Sequence, residues 1–313
     1  MKLLISLIFS FSLLFSQNLK PTQTFIASGG VTDLILKNKL LYISTDASLV
    51  DIFDASSYEL IKNIRIPQIK DFVGDQINSK IYSIDVIKDK VLIVSQGEKG
   101  FRYIYEYSDD KLKSIITIDK KMYIAKAKYL NENLIILGLL SNQIFVYDLK
   151  KKEFLWEVQA SQSKFSDFAL SEDKTKIIIA DESGSLKQLN TKNGKVKKIY
   201  SGLNVDNIFQ VDFKNKIVIT AGQDRRCAIY EKYNQYYKKA DFLIYSVGLS
   251  PSGTFAGFAN NEDNDITIFN TKTKEELFTL KGHRMTLSNI LFKNEKELYS
   301  SSDDSEVYYW KLK

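Results

Sequence analysis

A strand-like run that ends on an aromatic residue or leucine, often followed by an acid, returns along almost the whole chain. Leu49-Val50-Asp51-Ile52-Phe53-Asp54, Tyr103-Ile104-Tyr105-Glu106 and Ile144-Phe145-Val146-Tyr147-Asp148 are its first three occurrences. Four more are centred on Leu189, Tyr230, Phe269 and Trp310. Successive anchors lie 52, 42, 42, 41, 39 and 41 residues apart. A period this regular makes the chain an array of like units, each too small to bury its own apolar face. No amphipathic helix of useful length interrupts the array.

Each period contains four strand signals, marked by alternation, β-branched residues and polar turns. The third unit reads as strands over 123–129, 133–138, 143–148 and 153–159, and the fifth over 209–213, 216–221, 226–231 and 236–240. With only 3 Pro in the chain, the strands run uninterrupted. A four-stranded unit every ~40–45 residues is the blade of a β-propeller, and seven units give seven blades. The last unit stops one strand short, after 287–292, 297–301 and 306–311, while a spare strand, 24–27, precedes the first. Pairing the two closes the ring and removes an open edge. Two separate β-domains or a solenoid leave the missing strand unexplained. The expectation is an all-β fold: one closed seven-bladed propeller over residues 23–313, preceded by a short leader at 17–22.

The last unit resembles the WD40 repeat through Gly282-His283 and the segment Leu298 to Lys311 that contains Ser302, Asp304 and Trp310. The resemblance implies a structural tetrad of His283, Ser302, Asp304 and Trp310, in which the carboxylate fixes the imidazole, the imidazole bridges to Ser302, and Ser302 reaches the indole N–H. Lys311 stands where the family often has Asp. Asp224 in the fifth unit retains the turn acid, but no other unit has a His, so apolar packing is expected to hold the others.

Residues 1–16, MKLLISLIFSFSLLFS, read as a secretory signal: Lys2, an apolar run of about 13 residues, and small Ser16 at the cleavage point. An uncleaved anchor is the alternative. The expectation is an exported, periplasmic, monomeric protein. Its charge is mild: Lys+Arg 44 against Asp+Glu 38, a net of +6, which argues against a dedicated nucleic-acid binder. One Cys rules out an intramolecular disulfide, and one His rules out a His-cluster metal centre. Cys227 reads as a buried thiol, with neighbouring arginines leaving a redox role open. The run Asn260-Asn261-Glu262-Asp263-Asn264-Asp265 lacks the bidentate Glu of a calcium loop and reads as a hairpin turn. A catalytic reading of His283, Asp304 and Ser302 finds no supporting oxyanion motif. No catalytic residue, cofactor or metal is expected.

The leading functional expectation is a non-catalytic, protein-binding scaffold. Export signal, Lys-rich composition and seven-fold layout together resemble the accessory proteins encoded with the periplasmic nitrate reductase of epsilonproteobacteria. The resemblance implies a role in maturation or assembly of that enzyme, with its components as partners. A hydrolase using channel carboxylates and an outer-membrane assembly scaffold are the alternatives. The chain has only 5 Arg among its 44 basic residues. Arg225, Arg226 and Arg284 fall in turns of one face, with the long insertion 67–80 containing Gly74. Because Arg suits planar recognition better than Lys, that face is the expected docking surface.

Overall fold

The computed structural model describes residues 16–313; the signal expected over residues 1–16 lies outside them except for Ser16. Seven four-stranded antiparallel blades follow one another around a central channel. Blade 1 comprises Val31–Lys37, Leu40–Thr45, Leu49–Asp54 and Leu60–Arg65, ordered from the channel outward. The inner strands of blades 2 to 7 are Ile81–Ile87, Ile124–Asn131, Phe165–Leu170, Ile208–Lys214, Val247–Leu249 and Leu287–Asn294.

The second strand of every blade, and the third of every blade except blade 4, is buried over most of its length, because both faces pack on neighbouring blades. Leu134–Leu139 and Ile217–Gly222 are buried nearly throughout. Outermost strands alternate instead, as in Glu153–Gln159. The core is therefore seven apolar clusters, each lying between two consecutive blades.

Closure occurs where the repeat count places it. Gln23–Ile26 pairs antiparallel with Glu306–Lys311 as the fourth strand of blade 7, with Phe25 opposite Val307. Phe25 is buried and meets Phe53 edge-on at 5.4 Å and Tyr299 at 5.9 Å, so this one ring touches blades 1 and 7. The leader at 17–22 is more than a leader. Gln17–Leu19 forms a fifth strand on blade 6, parallel to the outer strand Glu276–Leu280. The chain thus crosses from blade 6 to blade 7 before the ring begins. Three residues with weak alternation gave no strand signal of their own.

Phe25→Ala is expected to destabilise the protein by about 3–5 kcal/mol, since it empties an aromatic site at the non-covalent seam that closes the ring. Urea unfolding monitored by tryptophan fluorescence measures it; a change below about 1 kcal/mol would mean that the seam is not needed for closure.

Candidate functional site: channel and turn face

Turns between second and third strands and the linkers between blades share one face, here the turn face. Backbone bonds join the two kinds of loop, as from Asp46 N–H to the Gly30 carbonyl (3.0 Å) and from Asp303 N–H to the Thr286 carbonyl (3.0 Å). Inner strands leave this face and descend the channel. Near their start, six of the seven shift register by one residue against the second strand, at Thr32, Tyr82, Ala125, Ser166, Phe209 and Ser288. Such a bulge re-aims the residues that follow it. The next residue lines the channel in all six: Asp33, Ser83, Lys126, Asp167, Gln210 and Asn289.

These side chains join the blades. Asp33 accepts the Ile84 amide of blade 2 (2.9 Å), Asp167 that of Val211 in blade 5 (3.0 Å), and Gln210 that of Val247 in blade 6 (2.8 Å). One step down the channel, Asp85 accepts the Tyr129 amide (2.7 Å) and Asp212 the Leu249 amide (2.9 Å). Blade 3 carries Lys126 where its neighbours carry acceptors. Its ammonium binds Asp167 at 2.6 Å. Burial works against that charge, but the carboxylates of Asp167, Asp33 and Asp212 outweigh burial and hold the ammonium above its ordinary value. Lys128 donates to the Ile84 carbonyl at 2.6 Å and lies 3.5 Å from Asp33. The channel carboxylates are thus engaged by amides and lysines, the arrangement of a structural collar. The channel cavity of about 330 Å³ is lined by these collar residues together with Glu172, Lys174 and Lys214.

In blade 7, His283, Ser302 and Trp310 come together, with a different connectivity from the expected one. His283 Nδ1 meets Ser302 Oγ at 3.0 Å, while Nε2 meets Ser300 Oγ at 2.6 Å. Ser300, not Ser302, receives the indole N–H of Trp310 (2.8 Å). Ser300 and Ser302 share one face of the strand, and the register decides between them: Trp310 stands opposite Leu298 and Tyr308 opposite Ser300, which puts Ser300 nearer to the indole. Asp304 makes no hydrogen bond to the imidazole; its carboxylate caps the Glu306 amide at 2.9 Å. Burial drives the His283 pKa down to about 4, against the opposing charge of Asp304. The imidazole is therefore neutral at pH 7, both nitrogens are occupied, and the group is structural.

Other blades do not rely on apolar packing alone, contrary to expectation. Asn204 stands four residues before its inner strand, as His283 does. It accepts from Thr220 Oγ1 (2.7 Å) and donates to Asp224 Oδ1 (3.2 Å). In blade 4, Asp181 receives both Ser161 Oγ (2.6 Å) and Asn142 Nδ2 (3.0 Å). The signal was a shared position rather than a shared residue type.

The expected arginine face divides. Arg284 is exposed on the linker into blade 7, and Arg225 is exposed in the turn of blade 5, two blades away. Arg226 is spent within its own blade: it donates to the Leu203 carbonyl (2.9 Å), approaches Asp224 (3.8 Å) and covers the Tyr237 ring. Gly74 adopts φ 97° at the tip of a hairpin formed by Ile69–Lys70 and Gln76–Ile77. An arginine that sequence reasoning passed over, Arg102, stacks on Tyr82 at 3.6 Å at the channel mouth, where Phe209 and Tyr245 also stack at 4.9 Å. Its scarcity was the available signal. Cys227 is fully buried and burial pushes its thiol up, opposite to the redox reading. Asp265, at the end of the acidic run, binds Lys281 at 3.0 Å, and the run is a hairpin turn. Among the described residues no group of three or more ligand side chains could hold a metal ion.

No family profile matches the chain. A stretch of 70 residues, 22% of the chain, is 30% identical to pre-mRNA-processing factor 19 of Mus musculus, and the Rattus norvegicus protein matches equally. The chain spans 14% of the length of these curated relatives. Together with the seven blades, this similarity supports one statement. The fold is a WD40-like seven-bladed propeller. Propellers of this kind generally mediate protein interactions.

Two outcomes test the site. Well above pH 6.5 His283 is neutral both folded and unfolded, so it adds no pH dependence there. As pH falls from 6.5 towards 4 the unfolded chain takes up the proton first, and stability falls, by at most about 3 kcal/mol. His283→Asn, which borrows the blade 5 residue, should flatten that slope in urea titrations at pH 7, 5.5 and 4.5; an unchanged slope would mean that the imidazole is accessible. Asp167→Ala should cost about 3 kcal/mol, because it strands the Lys126 ammonium and the Val211 amide together. Adding Lys126→Met to that variant should recover part of the loss, and strict additivity would show that the two do not interact.

Proposed function

We propose that the protein is a non-catalytic scaffold that docks a protein partner on its turn face. The observation that carries this reading is the hairpin tip at 71–75. Asp71 Oδ1 accepts the amides of Val73, Gly74 and Asp75 at 2.8–2.9 Å, which fixes the tip. On it Phe72 is 90% exposed and Val73 83%. Two large apolar side chains held rigidly in solvent suit insertion into an apolar socket, with little ordering cost on docking. Arg284 and half-exposed Met285 lie on the linker into blade 7, on the same face. The hairpin's base is tied to the turn of blade 1 by the Ser79 amide on Ser48 Oγ (2.6 Å), and blade 1 adjoins the turn of blade 7 through the Val31 amide on the Asp304 carbonyl (2.8 Å). The collar role of the channel carboxylates favours binding over hydrolysis.

Within this reading the partner belongs to the periplasmic nitrate reductase system, and the protein acts in its maturation or assembly, as an accessory factor of the NapL kind. What supports this is the export-type leader at 1–16, the 39 Lys against 5 Arg, and the seven-fold period.

Immobilised wild type should retain a partner from periplasmic extract of the native host, and Phe72→Asp/Val73→Asp/Arg284→Glu should lose at least about nine-tenths of it. Both residues of the tip are exposed, so the variant should melt like wild type. Equal recovery by a folded variant would place the docking surface elsewhere; a recovered partner that is not a nitrate reductase component would sink the finer assignment alone.

A further inference from the structure

The two faces of the disc carry opposite charge. Counting only residues outside the blade strands, the turn-face loops of blades 1 to 7 hold 14 acids and 9 bases. Loops of the opposite face hold 13 bases, all of them Lys, and 10 acids. The basic excess is concentrated at one corner. The turns joining the third and fourth strands of blades 3 and 4, residues 149–152 and 191–195, contain Lys150, Lys151, Lys152, Lys192 and Lys195 and no acid. All five are exposed. The outer strand Val196–Tyr200 adds exposed Lys197 and Lys198.

These turns are fastened side by side. Trp156 of blade 3 donates its indole N–H to the Thr191 carbonyl of blade 4 at 3.2 Å, and its ring lies against Gly194 so closely that an added Cβ would sit 3.0 Å from it. Around them Leu155, Val196 and Ile199 are 44%, 48% and 58% exposed. Glu153 and Glu157 are the carboxylates of the adjoining strand, and seven lysines against these two leave the corner with a formal excess of five positive charges.

We propose that this corner docks the protein onto an anionic lipid bilayer. Lys on an exposed strand edge can serve merely to block strand pairing, but the five turn lysines have no edge to guard. Their ammoniums are compact and hydrated and suit a diffuse layer of headgroups, whereas recognition of individual phosphates on a nucleic acid or of protein carboxylates favours the Arg fork, absent here. Leu155, Val196 and Ile199 supply shallow apolar insertion beside the charges. Docked this way, the disc keeps its turn face towards solution, where the hairpin tip is free to meet a partner.

The test is co-sedimentation of the full chain with vesicles of phosphatidylcholine alone or with 30% phosphatidylglycerol. Binding is expected to the anionic vesicles only, and to fall about tenfold or more between 50 and 500 mM salt. Lys150→Glu/Lys152→Glu/Lys195→Glu should lose at least about tenfold in partitioning while circular dichroism and melting stay as in wild type. Lys120→Glu/Lys121→Glu, an equally exposed change on the turn face, should bind as wild type does. Equal partitioning to neutral vesicles, retention of binding by the triple variant, or retention on heparin without vesicle binding would each overturn the proposal. The assay needs no protein partner, so its failure leaves the docking reading of the turn face untouched.

Discussion

Inner strands of neighbouring blades run side by side without sharing a backbone ladder, and each leaves amides facing the channel with no strand to receive them. A buried amide without an acceptor costs about 1–3 kcal/mol, so an unbridged ring would carry that cost at every interface. Side chains of the preceding blade solve it. Asp33, Asp167 and Gln210 at one level, and Asp85 and Asp212 at the next, take the amides across the gap. The bulge at the start of the strand is what turns the first set inward. Apolar clusters between blades then fill the space that this collar spaces out.

The same economy explains the outer polar chains. A WD40-like blade needs a linker residue tied to its second strand, and this need not be His. Asn204 does it with Thr220 and Asp224, and Ser161 with Asp181. Only blade 7 uses an imidazole, packed against the tilted ring of Tyr308 at 4.4 Å and joined through Ser300 to the indole. Sequence similarity fades once these equivalents are admitted, which is why a chain with seven complete blades shares just 70 residues at 30% identity with a curated WD40 protein.

Period, blade count and ring closure were legible because apolar alternation reports burial directly. Anchors such as Tyr147 and Trp310 are buried for the reason that made them conspicuous. The connectivity of the tetrad was not legible, since choosing between Ser300 and Ser302 requires strand register. The collar was invisible for a related reason: a carboxylate in an inner strand looks like surface until the fold turns that strand towards a channel. Arg226 misled because its charge is conspicuous, while its partners, the Leu203 carbonyl and the Tyr237 ring, lie 23 residues upstream and 11 downstream. Phe72 was passed over because an isolated apolar pair in a polar loop has no periodicity to mark it.

A collar of carboxylates and lysines also accounts for how one rigid ring can carry two unlike faces. Charge held inside the channel is locally balanced, so Lys126 among Asp33, Asp167 and Asp212 adds little field outside. Loops are then free to vary in sign without disturbing the joints between blades. Acid gathers in the turn-face loops of blades 6 and 7, at Glu262, Asp263, Asp303 and Asp304, and lysine on the far side of blades 3 and 4. Those sectors lie roughly across the ring from each other. The resulting field has a direction, and it orients the disc in front of an anionic surface before any contact forms. Orientation of that kind acts at a range of about a Debye length, roughly 8 Å at physiological salt, so it works at the last step of approach.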